Sequence, residues 1–314
     1  MELLKNRFEI GLADVNVKPL ILKYKDYINS FFIGIPTLNN CRANYILIDR
    51  LKQLITDCED IPIWVTLNSP VVEEHNINLI ADIAIGSWNE YKFYGFTVTN
   101  YTLAVILKQH GIPVKISTVN DIRDLNDIDR YVKSGFKKIV LSYKVNRNMD
   151  FINDAVSNFP TVQFSIIPNE ICDTNCPYRM GHFISTSLNQ KPTYLCPARQ
   201  PSNRNSWRSS LVRNSFVPPA NLKHYPHSVN FKLPTRMINY QVNDIIELMD
   251  LYTNEEDKIE NILPFFKHHI DISKLKPIYI NPSLKKQWLN CKNECYRCYE
   301  CDDIEKIINK GELK

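Results

Sequence analysis

The hydrophobic positions fall into short apolar runs separated by stretches of helical spacing. Phe31-Phe32-Ile33-Gly34-Ile35-Pro36 reads as a buried strand ending in a polar loop that contains Cys41. From Tyr45 to Cys58, Ile46, Leu47, Leu51, Leu54 and Ile55 recur on one side and predict a helix. The alternation then repeats. Strands are predicted at Pro62 to Leu67, Tyr94 to Val98, Ile112 to Ser117, Phe136 to Ser142 and Val162 to Ile167. Helices are predicted at Tyr101 to His110, about Leu125 to Ser134, and Met149 to Asn158. Phe8 to Val15 alternates loosely, as a short opening strand would.

Beyond residue 196 the pattern loosens. Pro201 to Tyr225 is rich in Asn, Ser, Arg and Pro and reads as an extended loop or small excursion. Ser228 to Pro234 restores a strand, Asn239 to Tyr252 a helix, and Pro277 to Ile280 a last strand. Short strands alternating with helices indicate β-α units and a parallel sheet. Counting from Phe31 gives about eight strands. The expected class is therefore α/β, a TIM-like (β/α)8 barrel irregular in its second half. An open dinucleotide-binding sheet is disfavoured because no Gly-x-Gly-x-x-Gly follows an early strand, and the chain has only 8 glycines. Two units are expected, a barrel over 1–285 and a cysteine-rich metal- or cluster-binding extension over 286–314.

Composition changes this picture in two places. A formal charge of +4 over 314 residues is too small to argue for a nucleic-acid partner on electrostatics alone. No basic flank with an apolar leader and no membrane-length apolar run is read, so a cytoplasmic, reducing setting without a membrane span is expected. The nine cysteines then need a purpose other than disulfides. Cys58, on the predicted helix, reads as a plain buried thiol.

Two groups of cysteines carry the chemistry. Cys172 and Cys176 lie in Ile171-Cys172-Asp173-Thr174-Asn175-Cys176-Pro177 after a predicted strand, and Cys196 follows in Leu195-Cys196-Pro197. In a barrel, Cys41 and these three would lie at the carboxyl ends of strands, where loops share one face. Such a set suits Zn²⁺ or a [4Fe–4S] cluster, and spacing leaves that choice open. Cys291, Cys295, Cys298 and Cys301 form Cys-x3-Cys-x2-Cys-x2-Cys, a second site for Zn²⁺ or a second [4Fe–4S] cluster. It would serve either as an electron relay to the central site or as a metal staple.

Polar residues surround the central group. Asn169, Glu170, Asp173 and Asn175 flank the cysteines, and Glu170 would act as acid or base if burial raised its pKa. Arg179 offers a planar fork for a carboxylate or phosphate, and His182 a proton donor or alternative ligand. Lys232 and Arg236 flank the carboxyl end of the strand Val229 to Leu233 and suit an anionic substrate. Arg199, Arg204, Arg208 and Arg213, interleaved with Trp207 and Phe216, keep RNA as a partner that is not favoured.

Three segments together resemble the peptidase family U32 over roughly residues 30 to 250. They are Ile116-Ser117-Thr118-Val119-Asn120, Gly135-Phe136-Lys137-Lys138-Ile139-Val140-Leu141-Ser142-Tyr143, and the cysteine stretch after Pro168-Asn169-Glu170. The resemblance implies a [4Fe–4S] cluster on Cys41, Cys172, Cys176 and Cys196. It also implies oxygen-independent hydroxylation of ubiquinone precursors, or of transfer or ribosomal RNA bases, with a partner subunit or electron donor. Three features depart from the family pattern: the long spacing after Cys176, the position of Cys41 outside a crisp motif, and Thr235 where a glycine is expected before the arginine. The resulting expectation is an iron–sulfur redox enzyme acting on a small anionic or aromatic molecule. An RNA base-modifying protein and a zinc-stabilised, non-catalytic partner protein are the alternatives. No His-Glu-x-x-His or Gly-x-Ser-x-Gly occurs to support proteolysis.

Overall fold

Eight parallel strands close on one another in sequence order. They are β1 (Phe8–Gly11), β2 (Ile28–Ile33), β3 (Ile63–Leu67), β4 (Gly95–Val98), β5 (Val114–Ile116), β6 (Lys138–Val140), β7 (Gln163–Ile166) and β8 (Val229–Leu233). In this computed structural model the described residues are 2–13, 16–36, 38, 46–58, 60–170, 172–174, 176–190, 214–235, 240–253, 260–261, 263–266, 279–280, 282–289, 291–292, 294 and 297–298. Helices follow the strands in turn: α1 (Lys18–Tyr24), α2 (Ile48–Asp57), α3 (Ile77–Tyr91), α4 (Tyr101–Gln109), α5 (Leu125–Lys133), α6 (Met149–Asn158) and α7 (Arg179–Ser187). A short α8 (Pro219–Leu222) precedes β8, and α9 (Val242–Thr253) follows it. This is the expected TIM-like (β/α)8 barrel.

The count of strands from Phe31 needs one correction. Phe8–Gly11 is the first barrel strand and pairs with both β2 and β8. Tyr279–Ile280 is not in the barrel but pairs antiparallel with Glu260–Asn261. A two-residue apolar segment on a separate ribbon and a barrel strand look alike in sequence, because both present a short apolar run.

Alternation sorts each strand into two faces. Phe8, Ile10, Phe31, Ile33, Phe96, Ile116, Phe164 and Phe231 are wholly or almost wholly buried toward the helices. The intervening positions, including Glu9, Ser30, Thr66, Thr97, Lys115, Ser165, Asn230 and Lys232, are buried in the barrel interior. Side-chain caps set the helix starts: Asn100, Asp124 and Asn148 accept the amides of Leu103, Asp127 and Phe151. Gly135 ends α5 at φ +81°, and the Phe136 amide returns to the Tyr131 carbonyl at 3.0 Å. Asn100, Asp124 and Asn148 lie in the loops at the carboxyl end of the barrel, and the Gly135 turn lies at the opposite end.

Candidate functional site

The floor of the site is a charged layer inside the barrel. Lys115 Nζ on β5 lies 2.9 Å from Glu9 Oε1 on β1, and both side chains are almost fully buried. Ser165 Oγ donates to the same oxygen at 2.7 Å and Asn230 Nδ2 at 3.2 Å. Lys232 Nζ stands 4.0 Å from Glu9 Oε2 and 3.8 Å from the centre of the Phe32 ring. Burial by itself raises the Glu9 pKa, but Lys115 and Lys232, with the hydrogen bonds from Lys115 and Ser165, pull it down to about 2. Glu9 is therefore an anion at neutral pH. One carboxylate between two ammonium groups leaves this layer with an excess of positive charge.

The cysteine loop rises above that floor from the end of β7. The Cys172 amide donates to Glu170 Oε1 at 3.1 Å, and Arg179 donates to Glu170 Oε2 at 2.9 Å. Arg179 also lies 3.6 Å over the Tyr143 ring and 4.9 Å over Phe183. Cys176 closes a turn onto the Asp173 carbonyl at 3.0 Å. Burial pushes the Cys172 thiol pKa up; Glu170 adds to that and Arg179 opposes it. Asn169 is completely buried, and neither its amide oxygen nor its amide nitrogen has a hydrogen-bond partner among the described residues. Leaving such a group unmatched costs roughly 1–3 kcal/mol. The orphan amide, two half-buried thiols and a fixed guanidinium suit a sulfur-held metal group beside this loop.

A small cavity at the barrel mouth is lined by Phe32, Thr66, Thr97, Ser117, Arg179 and Lys232 among others. Thr97 Oγ1 is buried there with no hydrogen-bond partner among the described residues. A second cavity of about 360 Å³ adjoins it and reaches Cys176, Asp121 and Lys144. Thr118, Val119, Arg179 and Phe183 line both spaces. Lys232 and the cysteine loop thus border adjoining spaces that share one wall.

Of the residues marked in the sequence, Glu170, Cys172, Cys176, Arg179 and Lys232 come together at this end of the barrel. His182 lies on α7, half-buried, with its ring 6.4 Å from that of Phe183. Cys41, Cys196, Arg236 and the arginines at 199, 204, 208 and 213 lie outside the described residues. So do Cys295 and Cys301 of the tail. Cys291 and Cys298 are described after α10 (Pro282–Leu289), and Lys292 reaches Asp150 of α6 at 3.0 Å. Among the described residues no three His, Cys, Asp or Glu side chains converge as a metal site. Sequence reasoning missed Glu9, Lys115 and Tyr143. The signal for the first two was a charge in the middle of a short apolar strand, Phe-Glu-Ile and Val-Lys-Ile.

The barrel is similar to the solved structure of the U32 peptidase Mk0906, with a TM-score of 0.52 over 72% of this chain and 92% of that one. The chain carries the U32 fold. Sequence identity is 9%, so the likeness concerns the fold alone. No family model matches the sequence, and no curated protein matches it. In this U32 fold no helix among the described residues is long and apolar enough to cross a membrane.

Proposed function

We propose that this chain is a redox enzyme whose barrel mouth binds a small anionic or aromatic molecule beside a sulfur-held metal group. The observation that carries the reading is the pair of adjoining cavities, with Lys232 lining one, Cys176 the other and Arg179 both. Cys172 and Cys176 would hold the group together with Cys41 and Cys196. A [4Fe–4S] cluster there supplies one-electron chemistry. The oxygen-independent hydroxylation implied by the family resemblance is the finer form of this proposal.

Each described residue then has a task of its own. Lys232 attracts the anionic end of the substrate, and Glu9 holds that ammonium in place from below. Phe32 and Phe183 present apolar surface to the body of the substrate. Glu170 clamps Arg179 and the Cys172 amide, which fixes the cysteine loop. Asn169 offers its amide N–H to a thiolate or sulfide, an outer hydrogen bond of the kind that tunes bound metals.

Anaerobic purification with iron, sulfide and zinc quantified beside an absorption spectrum tests this. A brown protein with about four irons per site, lost in Cys172→Ala, is the expected result. Zinc alone in the anaerobically handled chain would overturn it. An RNA-modifying role is favoured by one observation, Lys223, His224 and Lys286 along a groove of about 560 Å³ that Met149, Pro282 and Leu289 also line. Retention on RNA that weakens steeply with salt would support that second reading.

A further inference from the structure

The carboxyl-terminal helix is tied to the cysteine loop by an unbroken series of contacts. The loop 168–174 is flanked by a return segment, residues 214–217. Asp173 forms an antiparallel bridge with Asn214, and Thr174 Oγ1 lies 3.0 Å from Ser215 Oγ. The Val217 amide donates to the Pro168 carbonyl at 2.7 Å. Arg147, 2% exposed, grips this segment from the other side. Its Nε donates to the Phe216 carbonyl at 2.7 Å and its Nη2 to Asn214 Oδ1 at 3.3 Å. The opposite contact of that guanidinium is Trp288 of α10, whose ring centre is 3.7 Å away. Trp288 is 3% exposed, and its indole N–H has no hydrogen-bond partner among the described residues. Stacking and packing, including an edge contact with Phe216, hold it. The Cys291 amide then donates to the Trp288 carbonyl at 3.4 Å.

We propose that Trp288, acting through Arg147, is a positioning residue for the Cys172–Cys176 loop, so that α10 and Cys291 form one unit with the central site. Arg147 follows β6 and Lys292 binds the first turn of α6, so both anchors lie at the carboxyl end of the barrel, where the cysteine loop also lies. A guanidinium is suited to this link because it donates in its plane to the return segment while its face takes the indole. Lysine offers neither the fork nor the flat face. The bearing of the link on turnover rests on the proposed metal-holding role of Cys172 and Cys176. The link itself is a property of the apoprotein and is tested there.

The experiment is timed alkylation of full-length apoprotein with iodoacetamide, read cysteine by cysteine by mass spectrometry. Cys58, 1% exposed at the end of α2, reports whether the barrel is intact. In Trp288→Leu and Arg147→Lys, Cys172 and Cys176 should react on the order of tenfold faster, with Cys58 still protected. Trp288→Phe, which keeps an aromatic face, should stay near the wild-type rate. Unchanged rates at Cys172 and Cys176 in both variants would overturn the proposal. Exposure of Cys58 in both would overturn it too, since the link would then be to the whole barrel. If only one variant exposes Cys58, the rates in the other decide. Absence of metal in the wild-type chain would remove the proposed function while leaving this test readable.

Discussion

Glu9 and Lys115 meet across the barrel at 2.9 Å, from strands on opposite sides of the closed sheet. An ion pair so deeply buried gains little net stability, but losing one partner is expensive because the other stays charged in an apolar interior. Glu9→Gln leaves Lys115 and Lys232 facing each other without an anion. The expected loss is about 3–5 kcal/mol in urea unfolding. Lys115→Met should cost a similar amount, and the double variant less than the sum of the two.

The same carboxylate sets a pH window. Its folded pKa, about 2, is depressed below the ordinary 4.5, so its stabilising contribution is complete above the unfolded value and disappears as pH falls toward the folded one. The stability gap between wild type and Glu9→Gln should be full at neutral pH and narrow between about pH 4.5 and about pH 2. Urea midpoints of both proteins across that range measure it. A gap that stays constant to pH 2 would mean that folding does not lower the Glu9 pKa.

Asn169 separates structure from function in one substitution. In the apoprotein its orphan amide carries a desolvation penalty of roughly 1–3 kcal/mol, so Asn169→Leu should leave stability unchanged or raise it. If the amide serves a bound group, the same variant should retain less metal after anaerobic purification. Thermal melting and metal analysis on one preparation give both answers.

Lys232 and Arg179 both line the mouth cavity, and Arg179 is already paired with Glu170 at 2.9 Å. Lys232→Met should weaken binding of a small aromatic carboxylate such as benzoate, by roughly tenfold if the lost contact is one charge-assisted hydrogen bond. Calorimetric titration of the folded variant is the measurement. Equal affinity in the variant would move the anion site elsewhere.

Much of the barrel was legible in the sequence because strand and helix periods alternate cleanly from Gly95 to Ile166. The helix α3 was not, since its buried face is Ile77, Ala81 and Ala84, and two alanines give a weak apolar signal. The short α1 was likewise unmarked. Phe8–Gly11 looked like an optional opening strand, because only closure against β8 reveals its place. The cysteine loop was readable from residue type and spacing. Its supports were not: Tyr143 and Arg147 come from the loop after β6, and nothing local in the sequence says that they reach the loop after β7. Glu9 and Lys115 are single charges within short apolar strands, and only closure of the sheet brings these opposite strands face to face.

The seam between β1 and β8 has a consequence for synthesis of the chain. Arg7 donates to the carbonyls of Val229 at 2.9 Å and Pro226 at 2.8 Å, and its guanidinium lies 4.3 Å over the Phe231 ring. Thr235 Oγ1 returns to the Gly11 carbonyl at 2.6 Å. More than two hundred residues separate these partners. The amino-terminal strand must therefore wait on the ribosome until residues near 235 have emerged, and a growing chain holds an open, sticky sheet edge for most of its translation.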